Sequence, residues 1–383
     1  MAVPFYRHDL SAANAADIAR VLDSPILTSG NVGKAVEAQI AAFFDLPHAL
    51  LVNSWTNGAL AVLLAHGVGP GDEVIVPALT FAATANVVQL LGAKVVFADV
   101  DPHTLLITPE EVRTRLTPHT KAVFPVHLYG QLCDMKGIEH VLHGRPDVLV
   151  IEDAAHCFEG ARDGYLPGQH SHGALFSFYA TKNVTCGEGG ALVTRSADLA
   201  EKVRQTRLHG MTAGAIDRHT QASYRHWDID ILGVKANLPD LLAALLPDQI
   251  ATIRERLPVR ERLAARYNAA FADGPLTLPR LEAQSHSAWH LYVIHVPPQV
   301  RDQVIEGLNL AGIGVAVNFR AVPTLRYYKA HYGFTGGEFP HAECWGAGVI
   351  SLPFFPRMKD EEQDEVIAAV KRVAYPLIEK VGV

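Results

Sequence analysis

Residues 177–190 read SFYATKNVTCGEGG, and the reading of the fold turns on how a lysine comes to stand in the middle of them. Upstream, ALFSFYA (174–180) has the unbroken apolar character of a strand buried on both faces. Downstream, Gly187, Gly189 and Gly190 make a tight turn leading into a second strand-like run, GALVTR (190–195). Lys182 therefore lies on a connection that leaves a sheet. Lysine is seldom buried alone, so here it is paired, stretched toward water or chemically employed. A solvated lysine beside an ordinary turn accounts for the stretch equally well when it is taken by itself.

Outward from this point, the first half of the chain alternates short apolar runs with helical patterns. HALLVNS (48–54), DEVIVPA (72–78), AKVVFADV (93–100), KAVFPVHL (121–128) and DVLVIEDA (147–154) read as strands. TNGALAVLLAHGV (56–68), TFAATANVVQLLG (80–92), TPEEVRTRL (108–116) and a stretch near 134–143 read as helices. Repeated βα units build a mostly parallel sheet flanked by helices, an α/β architecture. A long helical pattern over 238–272 is expected to be interrupted at Pro247 and Pro258, because proline removes a backbone donor and crowds the preceding turn. The remainder has strand-like HLYVIHV (290–296) and GVAVNF (314–319), helical RDQVIEGLNLAGI (301–313) and a closing helix over 360–381, and reads as a smaller α/β unit. A chain of 383 residues outgrows one core, so we expect a large domain over 1–255 and a small C-terminal domain over 256–383.

Composition excludes several classes. Apolar residues make up 49% and charged residues 19%, enough for a large buried core. The net charge of −7, without a block of like charges, makes nucleic acid a poor partner. The N-terminus lacks a basic segment followed by an apolar one, and no run approaches the roughly 18 apolar residues of a membrane span, so a cytoplasmic protein away from membranes is expected. Cys133, Cys157, Cys186 and Cys344 are widely spaced and read as reduced thiols. His170, His172 and His209 lack HExxH or Cys/His spacing, and no metal is expected.

Four segments make chemical sense together. Asp153 ends the apolar run VLVIED, and ligands of open α/β sheets bind beyond the carboxyl ends of strands; it is also placed to cap the next segment. Lys182 is a Schiff-base nucleophile if burial or a nearby cation lowers its proton affinity. NSWTNGAL (53–60) runs from a strand into a helix whose first turn offers free N–H groups to an anion, with Thr56 adding a hydroxyl, though an ordinary cap reads the same. Phe81, in LTFAAT (79–84), is either core or a surface for stacking on a flat ring.

The segments VIVPALTFAATANVV (74–88), FPVHLYGQLCDM (124–135), IEDAAHCFEGA (151–161) and SFYATKNVTCGEGGALVT (177–194), in this order, resemble the DegT-type sugar-nucleotide aminotransferases. These are pyridoxal phosphate (PLP) enzymes of the aspartate aminotransferase fold. KANLPDLLAALLPDQI (235–250) and FPHAECWGAGVISLPFFPRM (339–358) extend the resemblance over nearly the whole chain. It implies that Lys182 carries PLP as the internal aldimine and then shuttles the proton between the donor's Cα and C4′ of the cofactor. Asp153 would keep the pyridine nitrogen protonated. His156 would pack near the ring and its phenolic oxygen, Phe81 would stack on the ring, and Thr56, Asn57 and Ser177 would cradle the phosphate. Asn237 would reach the phosphate of a neighbouring subunit, implying a homodimer with shared sites.

Two departures stand out. Trp55 replaces a small residue in the phosphate loop, where it either narrows the site or packs behind it. Asn318-Phe319, followed by Arg320 and Pro323, stands where members often carry a His-Tyr pair that contacts substrate; Asn318 and Arg320 are the substrate candidates. The implied reaction moves an amino group from L-glutamate to a nucleotide-linked keto sugar, a 4-keto UDP or dTDP sugar first and a 3-keto sugar second. A PLP-dependent dehydratase and a non-catalytic regulator are the remaining readings. The first is disfavoured because its best-known members replace the lysine, and the second because lysine and aspartate are both kept.

Overall fold

A computed structural model describes residues 2–212 and 228–382. Eight strands precede residue 200: β1 (His48–Val52), β2 (Glu73–Pro77), β3 (Lys94–Ala98), β4 (Thr120–Val123), β5 (Leu149–Asp153), β6 (Ala161–Arg162), β7 (Gly173–Ser177) and β8 (Gly190–Thr194). All but the short β6 form one seven-stranded sheet in the order β1-β8-β7-β5-β4-β2-β3. β3, β2, β4, β5 and β7 run parallel, as their nearly continuous apolar runs require of strands covered on both faces. β8 is the exception, antiparallel to both β7 and β1. The connection carrying Lys182, residues 178–189, holds no helix of the kind that usually carries a parallel crossover, and the chain turns back instead.

The β7–β8 connection is tied to itself. The Phe178 N–H donates to the Gly189 carbonyl at 2.8 Å, that of Cys186 to the Phe178 carbonyl at 3.0 Å, and that of Lys182 to the Tyr179 carbonyl at 2.9 Å. Gly190 is needed for close approach. A Cβ there would lie 2.5 Å from the Phe176 carbonyl oxygen and 3.1 Å from the Trp55 nitrogen, so its absence lets the helix Trp55–Ala65 begin against the sheet beside the lysine connection.

The described residues form three apolar clusters. One pairs the sheet with its helices and takes in Ala321, Val322, Tyr328 and Trp345 from the C-terminal third. A second lies around the small antiparallel pair β10 (Tyr292–His295) and β11 (Val349–Leu352), under the helices Arg301–Leu310 and Asp360–Lys380. Among the described residues the remaining strand, β9 (Ser285–His286), pairs with β6. Residue 255 falls inside the helix Pro247–Phe271. Before it, Ile250 and Ile253 pack in the third cluster; after it, Leu263, Tyr267 and Phe271 pack in the second.

Some local expectations are corrected. Pro247 begins that helix, where its missing N–H is harmless, and Pro258 lies inside it without ending it. Burial of Ile253, Arg260 and Leu263 on either side of Pro258 holds the turn that proline would otherwise open. GVAVNF (314–319) is not a strand. It touches β11 through the single bridge Ala316–Ser351 and then departs to bring Asn318 under the Tyr129 hydroxyl, which donates to its carbonyl. No helix among the described residues is long and apolar enough to cross a membrane.

Candidate active site

Asp153 ends β5 at the carboxyl edge of the parallel strands and is buried. Its Oδ2 accepts from the Thr84 hydroxyl at 2.9 Å, and Oδ1 from the Ala155 N–H at 3.2 Å. Thr84 in turn contacts Thr80 Oγ1 at 3.1 Å. Burial pushes this carboxyl up to about 6, against the downward pull of these hydrogen bonds and of Lys182.

Lys182 is only half-buried as a residue, but its amine is enclosed, and that burial lowers its proton affinity to about 8 despite the attraction of Asp153. Carboxylate and amine thus lie close enough to shift one another. The lysine Nζ stands 3.5 Å from His290 Nε2. His156 is buried with its ring 4.4 Å from that of His290 and 5.7 Å from that of Phe319, centroid to centroid. Its Nδ1 accepts from the Tyr129 N–H at 3.2 Å. Burial, with Lys182 and His290 nearby, holds its proton affinity well below the usual histidine range, so the ring is neutral at neutral pH.

The other expected residues surround this centre to different degrees. Ser54 caps the helix Trp55–Ala65 by accepting from the Asn57 N–H at 3.1 Å, and Asn57 Nδ2 donates to Asn53 Oδ1 at 2.9 Å. The N–H groups of Trp55 and Thr56 precede any intrahelical acceptor and remain available to an anion. Trp55 itself packs into the core, 6.0 Å from Phe124, behind the loop. Ser177 ends β7 opposite Gly190, next to that same helix start. Phe81 is not core: it is 58% exposed, its ring 5.4 Å from Phe319. Asn318 Oδ1 is buried without a partner among the described residues, and Arg320 is exposed. Asn237 is held by its own protomer, Nδ2 donating to Thr28 Oγ1 at 3.1 Å and Ser29 Oγ at 3.0 Å, while its Oδ1 is buried and unpaired among the described residues.

Among the histidines outside this centre, His170 pairs with Glu139 at 2.8 Å, and His172 accepts from the Val150 N–H at 3.0 Å. Sequence reasoning did not find Thr84, His290, Asn183, Glu159 or Arg260, all of which bear on Asp153 or Lys182. WHLY around His290 offers only a histidine at the start of an apolar run, a pattern shared by ordinary core residues.

Such a site suits a flat, anionic, aldehyde-bearing ring. It has a buried carboxylate for a ring N–H, an amine of lowered proton affinity for a carbonyl, a helix start for a phosphate and an exposed aromatic for a ring face. Fold and site together define a PLP-dependent aminotransferase. The chain belongs to the DegT/DnrJ/EryC1/StrS aminotransferase family, whose pattern it matches over residues 8–371. It is 39% identical over 365 residues, 93% of either chain, to the spore coat polysaccharide biosynthesis protein SpsC of Bacillus subtilis. It superposes on DesV of S. venezuelae, solved in complex with a ketimine intermediate, with a TM-score of 0.87 and 33% identity, covering 97% of this chain and 98% of that one. The PLP form of Spr1654 from Streptococcus pneumoniae matches with a TM-score of 0.90 and 27% identity over 100% of both chains.

Proposed function

We propose that this aminotransferase transfers the amino group of L-glutamate to a nucleotide-linked keto sugar, a 4-keto UDP or dTDP sugar before a 3-keto one. The observation that carries the reading is the enclosed pair of Asp153 and Lys182 at the carboxyl edge of the sheet. When bound, PLP supplies an electron sink for the carbanion formed at the donor's Cα. Lys182, an amine of lowered proton affinity, would hold the cofactor at its aldehyde and would carry the proton. Asp153, held by Thr84 and the Ala155 N–H, supplies the charge that keeps the ring nitrogen protonated. Phe81 and His156 orient the ring, and Thr56, Asn57 and Ser177 hold the phosphate. Asn318 and Arg320 are assigned to the substrate, an exposed guanidinium being suited to a diphosphate.

Asn237 completes the site of a second copy, which makes the protein a homodimer. The exposed rings of Phe81 and Tyr179 support this. We further read the chain as a cofactor domain over 1–255 and a smaller domain over 256–383, working in the cytoplasm. A sugar substrate agrees with the polysaccharide role named for the Bacillus subtilis relative. The test is to charge the purified enzyme with glutamate and follow loss of the aminated cofactor's absorbance across a panel of nucleotide keto sugars. Turnover with a 4-keto sugar, abolished by Lys182→Ala, is expected; turnover that survives this substitution refutes the reading.

A further inference from the structure

Behind Lys182 lies a buried chain of polar groups that the reaction just described does not use. Arg260 and Glu159 form an ion pair with both side chains essentially inaccessible. Asn183 Nδ2 donates to Glu159 Oε1 at 2.9 Å and to the Ala288 carbonyl at 2.8 Å. Asn183 Oδ1 lies 3.3 Å from His290 Nδ1, and His290 Nε2 lies 3.5 Å from Lys182 Nζ.

The hydrogen-bond polarity of this chain has one solution. Glu159 Oε1 receives the Arg260 guanidinium and the Ala288 carbonyl receives the Arg260 Nε–H at 3.1 Å, so both are acceptors where they meet Asn183. Turning the Asn183 amide over would set its oxygen against a carboxylate and a carbonyl, leaving buried acceptors face to face. Its oxygen must therefore point at His290, and His290 Nδ1 must carry the proton. In a neutral imidazole the other nitrogen is then a bare acceptor.

We propose that the Arg260–Glu159–Asn183 chain locks His290 in the Nδ1–H tautomer, making His290 Nε2 a fixed hydrogen-bond acceptor that positions the amine of Lys182. His290 is thereby a positioning residue. It occupies one N–H of the lysine, so that the lone pair of the neutral amine is held in one direction for attack on a carbonyl. Burial, with Lys182 and Arg260 nearby, keeps the His290 ring neutral and the acceptor free. The proposal rests on Lys182 being the residue that bonds PLP.

The decisive measurement is the nitrogen NMR spectrum of the 15N-histidine-labelled apoprotein, with the His290 signals assigned by their loss in His290→Phe. A protonated Nδ1 and bare Nε2 are expected, and a proton on Nε2 overturns the proposal. Asn183→Leu, which presents no acceptor to Nδ1, should release the tautomer. Covalent capture of PLP by the apoprotein, followed by absorbance, should slow about tenfold in His290→Phe, the size of one lost hydrogen bond. It should stay near the wild-type rate in His290→Gln, whose amide oxygen can accept in place of Nε2. Equal rates for the Phe and Gln variants refute the positioning role. Covalent capture by Lys182→Ala would instead refute the assignment of the lysine, leaving the tautomer result standing.

Discussion

Replacing Asp153 by asparagine should make the apoprotein more stable while crippling the enzyme, and the two effects have the same origin. Burial raises this carboxyl to about 6, against about 3.9 for an unfolded aspartate. The gap of about two units corresponds to ~3 kcal/mol at 1.36 kcal/mol per unit. The sign follows from proton counting. Between these two values the folded protein holds the proton more tightly than the unfolded chain, so the contribution is present below about pH 4 and is lost as pH rises through about 6. Asparagine cannot ionise and escapes that loss. The amide is accommodated because the Thr84 hydroxyl, linked to Thr80 by a bond either oxygen can donate, can turn to accept.

Urea unfolding of the two apoproteins should therefore diverge from near equality at pH 4 to a variant advantage approaching ~3 kcal/mol above pH 6. Turnover should fall at least about tenfold, because the charge-assisted hydrogen bond to the ring nitrogen is gone. A stability difference that does not change with pH, or a variant with wild-type turnover, would refute the assignment of Asp153 as a buried, functionally retained charge.

Gly190→Ala places a methyl 2.5 Å from the Phe176 carbonyl oxygen, and a loss of about 1–3 kcal/mol is expected in chemical denaturation, with weakened PLP binding as the helix start is displaced. Arg260→Met strands the buried Glu159 carboxylate and should cost about 3–5 kcal/mol, while Arg260→Met combined with Glu159→Leu should recover most of it; equal losses for the two proteins would show that the pair is not charged. Phe81→Ala removes a ring that is 58% exposed, so the melting temperature should hold, while PLP retention in dialysis should weaken by about 0.5–1.5 kcal/mol. For Lys182, lowered to about 8, the unfolded chain binds the extra proton up to about 10.4, so apoprotein stability should rise with pH across that interval. Lys182→Met should flatten that rise.

Much of the sheet was legible because its parallel strands carry continuous apolar runs and its turns carry glycines, both local signals. Asp153 and Lys182 were legible as positions, one at a strand end and one on a connection leaving the sheet. Their environment was not. Thr84 meets Asp153 across 69 residues of sequence, His290 meets Lys182 across 108, and Tyr129 meets the Asn318 carbonyl across 189. No spacing rule connects such partners, since each contact is made where separate loops converge at the edge of the sheet. Pro258 shows the same limit in reverse, its local tendency to break a helix being overridden by burial on both sides.

The order of residues alone settled the alternation of strands and helices, the place of the lysine between two strands and the carboxylate at the end of a third. These depend on apolar periodicity and turn chemistry, which act over a few neighbouring residues. Packing alone decided that the amine is enclosed, that His156 and His290 are neutral, and that a buried ion pair reaches the lysine through an asparagine and a histidine. Proton affinity and hydrogen-bond polarity depend on what surrounds a group in space, and in this protein the chain brings those surroundings from segments far apart in sequence.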